Sequence, residues 1–385
     1  MRNGGGDVFV PIAGADLARP VRRVLQRLDR MVAGPRWILA VVGLTVAVSV
    51  LMAWPTYSMY HPNDADWQAI SEQADHPFTQ PWGPDAHAFD STFRMTVPLV
   101  GRVLGLGPNG YLVLQAVAAL GLFAAAAHLV ERITSDRRAA ALTTISIGLM
   151  WAGATGFVEV RPNFDSVALA LLVAAMATRR VPVVVLCGFL AGWTDERAIP
   201  AMAFVALLHH AVESRELGFR SAVREPRTAA AMAAAVLVIA SRLAVRDLCH
   251  LRELTQFGGV SFIVDQAGIW PIGAWTGLEG LWVFAVLATI ALVRVGHRSL
   301  GGAYAGLVVA FSVLAIGVVD VTRSMAYLLP AGMAGLAISH RLVERRLFRN
   351  GLYTSFALTV LWPLYYAGGS KTVYWQYPLP LVLLG

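Results

Sequence analysis

Lysine is almost missing from this sequence: of 31 basic residues only Lys371 is a lysine. Such a bias is the mark of a GC-rich genome and points to a bacterium. Charge of either sign is scarce too, at 14% of residues, against roughly 25% in soluble globular chains. That shortage excludes water as the main solvent. Cysteine is reduced to Cys187, inside an apolar run, and Cys249, in a polar stretch. This excludes a disulfide framework, and neither a CxxC nor a metal-type Cys/His spacing occurs. A cleavable leader is not legible either, because residues 1–36 are basic and polar and the apolar run after them is long enough to span. That run is expected to stay as a signal anchor.

What is abundant is apolar surface, with 57% hydrophobic residues and a mean hydropathy of +0.59. A crossing takes about 20 mostly apolar residues. The pattern predicts an all-α, polytopic bundle of about eleven helices near 37–54, 111–130, 139–158, 164–178, 182–194, 198–212, 228–246, 272–293, 301–319, 324–340 and 351–367. Residues 1–36 form a basic cytoplasmic tail, and 37–385 form one transmembrane domain with an outer loop at 55–95. Thr96–Leu106 is too short to cross, carries Arg102 and ends in Gly107-Pro108-Asn109-Gly110, which suits an interfacial or re-entrant helix.

Alternating the chain from a cytoplasmic N-terminus puts 22 basic residues inside and 9 outside, and 9 acids inside and 15 outside. Basic residues favour the cytoplasmic side, so the net +7 is a topology signal set against anionic lipid. Nucleic acid is not needed to explain it.

Five polar clusters then fall on the outer side. They hold Asp64 and Asp66; His87, Asp90 and Arg94; Arg161 and Asp165; Asp195, Glu196 and Arg197; and Asp320 and Arg323. Charges at a membrane edge are costly, and those retained usually pair or line a polar cavity. Each cluster also has a plain structural explanation. Asp64 and Asp66 fit solvated loop acids, and His87, Asp90 and Arg94 fit a capped and paired interfacial helix. Asp165 after Pro162-Asn163 fits a helix start, while Asp195-Glu196-Arg197 and Asp320 with Arg323 fit salt-bridge knots. The functional reading rests on five clusters sharing one side.

The order of these features resembles the GT-C superfamily of membrane glycosyltransferases, over roughly residues 20–210. Asn63-Asp64-Ala65-Asp66 sits where that family has an acidic motif soon after helix 1, and Phe93-Arg94-Met95-Thr96-Val97-Pro98-Leu99 is similar to its basic-plus-proline segment before helix 2. Arg161-Pro162-Asn163-Phe164-Asp165 and Cys187–Arg197 resemble its helix-4 start and its glycine-rich helix with a polar turn. Two departures stand out: Asp-Ala-Asp replaces the adjacent Asp-Glu of many relatives, and no soluble C-terminal domain follows. The resemblance implies transfer of a sugar from a polyprenyl-phosphate donor, at the outer face of a bacterial inner membrane, to a glycan, lipid or protein acceptor. Such a transfer needs a carboxylate to take the acceptor proton; Asp64 is the first choice and Asp66 the second. Guanidinium groups suit the leaving phosphate, which makes Arg94, Arg161, Arg197 and Arg323 its candidates. Asp165, Asp195, Glu196 and Asp320, with His87 and Asp90, would orient them or bind sugar hydroxyls. The family includes metal-dependent and metal-independent members, so a divalent cation stays open. Two other classes fit the same sequence: a membrane transporter of a polar or anionic substrate, and a non-catalytic GT-C-like membrane protein.

Overall fold

The computed structural model describes residues 15–54, 59–79, 92–214, 217, 221, 224–251, 259–368 and 372–384, and most of them are helical. Helix α1 (Ala15–Ala33) belongs to the basic tail yet buries Leu28 and Val32 in the main core. Helix α2 (Trp37–Met52) follows, with Trp37, Val41, Thr45 and Ser49 on its inward face. That spacing of four is one stripe of a helix.

The first loop holds two short helices, α3 (Ala65–Asp75) and α4 (Thr96–Leu104). Arg102 of α4 donates to Ala74 O at 3.2 Å and Asp75 O at 2.8 Å. A cation there satisfies the orphan carbonyls that every helix C-terminus leaves. Gly105, at φ +65, ends α4, as a glycine readily does in the left-handed region. Leu99, Val100, Val103 and Leu104 stay exposed on α4, and Thr96 Oγ1 anchors it to Leu190 O at 2.9 Å. A short helix therefore stands where one was expected at Thr96–Leu106, two residues shorter.

Helix α5 (Pro108–Thr134) is long enough to cross a membrane. The span expected at 139–158 is instead two helices, α6 (Arg137–Leu149) and α7 (Trp151–Val158), bent by 58° at Met150. At the bend a Cβ on Gly153 would lie 2.2 Å from Ile147 O, so only glycine fits there. Three short apolar helices come next, α8 (Asp165–Ala177), α9 (Val181–Thr194) and α10 (Ala198–Glu213), matching the three short predicted spans. Gly188 and Gly192 on α9 meet Ala234 and Val238 of α11 (Pro226–Leu248) at distances no Cβ would allow. Small residues of this kind let membrane helices approach closely.

The second half holds α12 (Val260–Asp265), α13 (Trp270–Leu278), a 3-10 turn at Glu279–Leu281, α14 (Trp282–Arg294) and α15 (Arg298–Ile316). Residues 324–340, expected as one helix, are split between α16 (Val321–Ala326) and α17 (Leu329–Leu342). Helix α18 (Arg345–Leu361) ends six residues before the predicted limit of 367. The chain there forms an antiparallel hairpin of β1 (Tyr365–Gly368) and β2 (Thr372–Trp375), with Tyr365 opposite Trp375, and then α19 (Leu379–Val382). The alternating aromatic and β-branched residues of 365–375 suit a strand pair better than a helix.

Among the described residues four helical stretches are long and apolar enough to cross a membrane, or five if the bent pair α6–α7 is one span. Exposed Val113 and Val117 on α5, Val236 and Leu243 on α11, and Val309 and Leu314 on α15 give these helices apolar outer faces. Such faces are stable only against lipid or another apolar surface, and the chain is a helical membrane protein.

Candidate functional site

Two sets of polar side chains gather at opposite ends of α8. At its C-terminal end Arg132 donates to Met176 O at 3.1 Å, and Arg341 donates to Ala211 O and Ser214 O, each at 2.7 Å. Nearby, Arg138 pairs with Asp29 and Tyr353, and Arg137 lies over Trp37. A cavity of about 1160 Å³ opens at this basic end between Asp29, Arg138 and Arg349. Three of the five clusters singled out from the sequence, with Arg94 of a fourth, meet at the other end.

Asp165 begins α8 and is 1% exposed. It is not a helix cap: the N-cap is Phe164, held at φ +54, and the Asp165 carboxylate points into the bundle. Arg323 Nε donates to Asp165 Oδ2 at 2.6 Å, and Tyr327 Oη to Oδ1 at 3.1 Å. Arg323 Nη1 reaches Asp320 Oδ2 at 2.7 Å, and Tyr366 Oη donates to Asp320 Oδ1 at 2.7 Å. The bundle core, the α15–α16 turn and the β-hairpin are thus joined through one buried guanidinium. Burial raises the Asp320 carboxyl, but Arg323 and the Tyr366 hydroxyl outweigh it and hold the group at about 2.

The second part of the network lies at the α9–α10 turn. Arg94 Nη2 and Nε donate to Glu196 at 2.8 and 3.2 Å, and Nη2 is 3.8 Å from Asp195. Arg197 donates its backbone N–H and Nε to Asp195 Oδ1 at 2.9 and 3.2 Å, and its guanidinium lies 5.7 Å from the Tyr327 ring centre. Burial pushes Glu196 up, yet Arg94 and Arg197 pull it well below the usual carboxylate range. Asp195 ends above its ordinary value because burial exceeds what Arg197 and Arg94 restore. Two buried atoms here have no hydrogen-bond partner among the described residues, Asp195 Oδ2 and Arg197 Nη1. An unmet buried donor or acceptor costs about 1–3 kcal/mol, so both invite a ligand or water.

Arg161 sits at the rim, its side chain 58% exposed, with Nε 3.1 Å from Glu159 Oε1. Four arginines thus face five carboxylates, and the cluster as it stands has no surplus positive charge. Of the five carboxylates Glu196 is the most exposed, its side chain at 41%.

Among the described residues no bond joins Asp64 to this network. Asp64 is exposed, and its backbone starts α3 without a side-chain cap bond; Asp66 is half-buried in the first turn. What ties α3 to the site is Trp67, which packs edge-on against Phe164 at 6.4 Å and stacks on Tyr111 at 6.2 Å. His87 and Asp90 lie outside the described residues. Among the described residues no group of three His, Cys, Asp or Glu side chains is placed to hold a metal.

Several participants were not singled out by the sequence. Tyr327 stands four residues after Arg323, a helical spacing that could have flagged it. Tyr366 comes from the hairpin and has no local signal. Arg242 donates to Gly192 O at 2.6 Å and lies 5.7 Å from the rings of Phe93 and Trp193, beside a cleft of about 170 Å³. Glu279 is fully buried inside the stretch Ala267–Arg294. No protein-family model matches the chain, and no curated protein and no solved structure matches it.

Proposed function

We propose that this chain is a GT-C-like membrane glycosyltransferase that crosses a bacterial inner membrane about eleven times, with its N-terminus in the cytoplasm. It takes a sugar from a polyprenyl-phosphate donor at the outer face. The observation that carries the reading is Arg197 Nη1, a buried guanidinium donor without a partner in a cluster of four arginines beside apolar helices. The donor's phosphate accepts from Arg197 and Arg94, displacing Glu196, with Arg161 at the rim. The acceptor hydroxyl then attacks the anomeric carbon, its proton passes to Asp64 or Asp66, and the sugar–phosphate C–O bond breaks with its electron pair on the lipid phosphate. Inversion follows from one such displacement.

Purified protein supplied with radiolabelled polyprenyl-phosphate hexoses tests this. Asp64→Asn removes basicity but keeps shape, so donor binding is expected to persist while turnover falls by roughly 10²–10⁴-fold, the usual general-base contribution. Asp66→Asn is the paired comparison. If only Asp66→Asn loses turnover, the base is Asp66; if both variants keep it, the first loop is not catalytic. A transporter is the second reading, favoured by one observation: Glu279 lies at a break inside a membrane-length helix, as ion-binding groups of transporters do.

A further inference from the structure

The stretch Ala267–Arg294 is long and apolar enough to cross a membrane, and Glu279 is twelve residues from its start and fifteen from its end. At about 1.5 Å per helical residue, that puts the carboxyl deep in the hydrocarbon layer rather than at a rim. The helix breaks there: α13 ends at Leu278, Glu279 opens a 3-10 turn, and α14 resumes at Trp282. The backbone at Glu279 has φ 42 and ψ −120, a conformation that suits glycine and strains a residue with a side chain. A glycine stands next in the chain, and it cannot move: a Cβ on Gly280 would lie 1.9 Å from Ser355 O, and Gly280 N donates to Thr359 Oγ1 at 3.1 Å. Helix α18 therefore pins the break.

The Glu279 side chain is 0% exposed, and neither Oε1 nor Oε2 has a hydrogen-bond partner among the described residues. The elements packed on the turn are α13, α14, α17 and α18. Helix α13 carries no charged residue, α14 carries Arg294, α17 carries His340 and Arg341, and α18 carries Arg345, Arg346, Arg349 and Tyr353. None of these bonds to Glu279; Arg341 is spent on Ala211 O and Ser214 O, and Tyr353 on Arg138. Arg323 of nearby α16 is occupied by Asp165 and Asp320. An ionised carboxylate left alone in an apolar interior is prohibitively costly, and such a group neutralises instead.

We propose that Glu279 is a membrane-embedded proton-binding site, a carboxylic acid that carries its proton in this conformation. A cation site would need several oxygen ligands, and among the described residues no group of three His, Cys, Asp or Glu side chains placed to hold a metal includes Glu279. The proposal holds whether the protein transfers sugars or transports a solute, because it rests on the break and the isolated carboxyl rather than on the arginine cluster.

The test uses the full chain in liposomes and dicyclohexylcarbodiimide, an apolar reagent that reacts with protonated carboxyls. The acid O–H adds across one C=N bond, oxygen to carbon and proton to nitrogen, and nothing leaves. At about pH 8, far above the ordinary carboxylate value, peptide mapping is expected to find the adduct on Glu279 and not on exposed Asp64. Infrared spectra at the same pH should show a protonated-carboxyl C=O band that disappears in Glu279→Gln. If that variant fails to fold, Glu279→Asp, which shifts the band without removing it, assigns it instead. Absence of both adduct and band at that pH would overturn the proposal. So would suppression of the adduct by sodium at constant pH, since that would make Glu279 a cation ligand.

Discussion

Arg323 is the most heavily used side chain at the network end, with both its acidic partners held at 2.6–2.7 Å and only 3% of its surface exposed. Buried pairs give little net stability when formed, but removing one partner strands the other charge at a cost of about 3–5 kcal/mol. Asp165→Asn and Arg323→Leu should therefore each lower the melting temperature sharply in detergent, and the double variant should lose less than the two losses combined. Additive losses would mean that the pair is not coupled. Acid should act on the same network. Asp320 is held at about 2 and Glu196 is also depressed, so their stabilisation is complete above the ordinary carboxylate value of roughly 4 and is lost as pH falls toward 2. Asp195, raised by burial, acts in the opposite sense, taking its proton early and losing its contribution as pH rises. Melting followed from pH 6 down to about 3 should show net destabilisation, and Asp320→Asn should flatten that slope.

At the scale of elements, the glycines decide where helices bend and touch. Gly280→Ala drives a Cβ into Ser355 O, and overpacking of this kind costs about 1–3 kcal/mol. Gly43→Ala, with nothing within 4 Å of the new atom, is the control and should melt like the natural protein. Equal melting of the two variants would remove the account of the break. Helices were legible in the sequence wherever hydropathy alone defines them: the short spans α8, α9 and α10 came out within a few residues, because a charged turn bounds each of them. Breaks were less legible. Met150 sits in a run without proline or charge, so nothing local marks the bend there, whereas Pro330 in the first turn of α17 did mark the break at Leu328. The hairpin at 365–375 was missed because a short apolar run reads as helix or strand until its partner is known.

For the whole molecule, the sequence clusters Arg94, Arg161–Asp165, Asp195–Arg197 and Asp320–Arg323 come together at one end of α8, and the basic connections at the other. Charge asymmetry made that separation readable; Tyr366 had no local signal, whereas Tyr327, four residues after Arg323, and Glu279, a lone acid in an apolar run, each left one that the charge pattern alone did not bring out. The proposed orientation predicts that a cysteine at position 75 or 370 reacts with a membrane-impermeant reagent from outside intact cells. Labelling of either one only after the cytoplasm is opened would reverse the topology. The central claim is that the arginine cluster receives a lipid phosphate, and the direct measurement is the affinity of detergent-solubilised protein for a short polyprenyl monophosphate. Losing a charge-assisted hydrogen bond costs about 1.5–3 kcal/mol, so Arg197→Ala and Arg161→Ala should each weaken binding roughly ten- to a hundredfold, while Arg138→Ala at the opposite end leaves it unchanged. Wild-type affinity in both network variants, with folding intact, would contradict the account and leave the cluster a set of structural ion pairs.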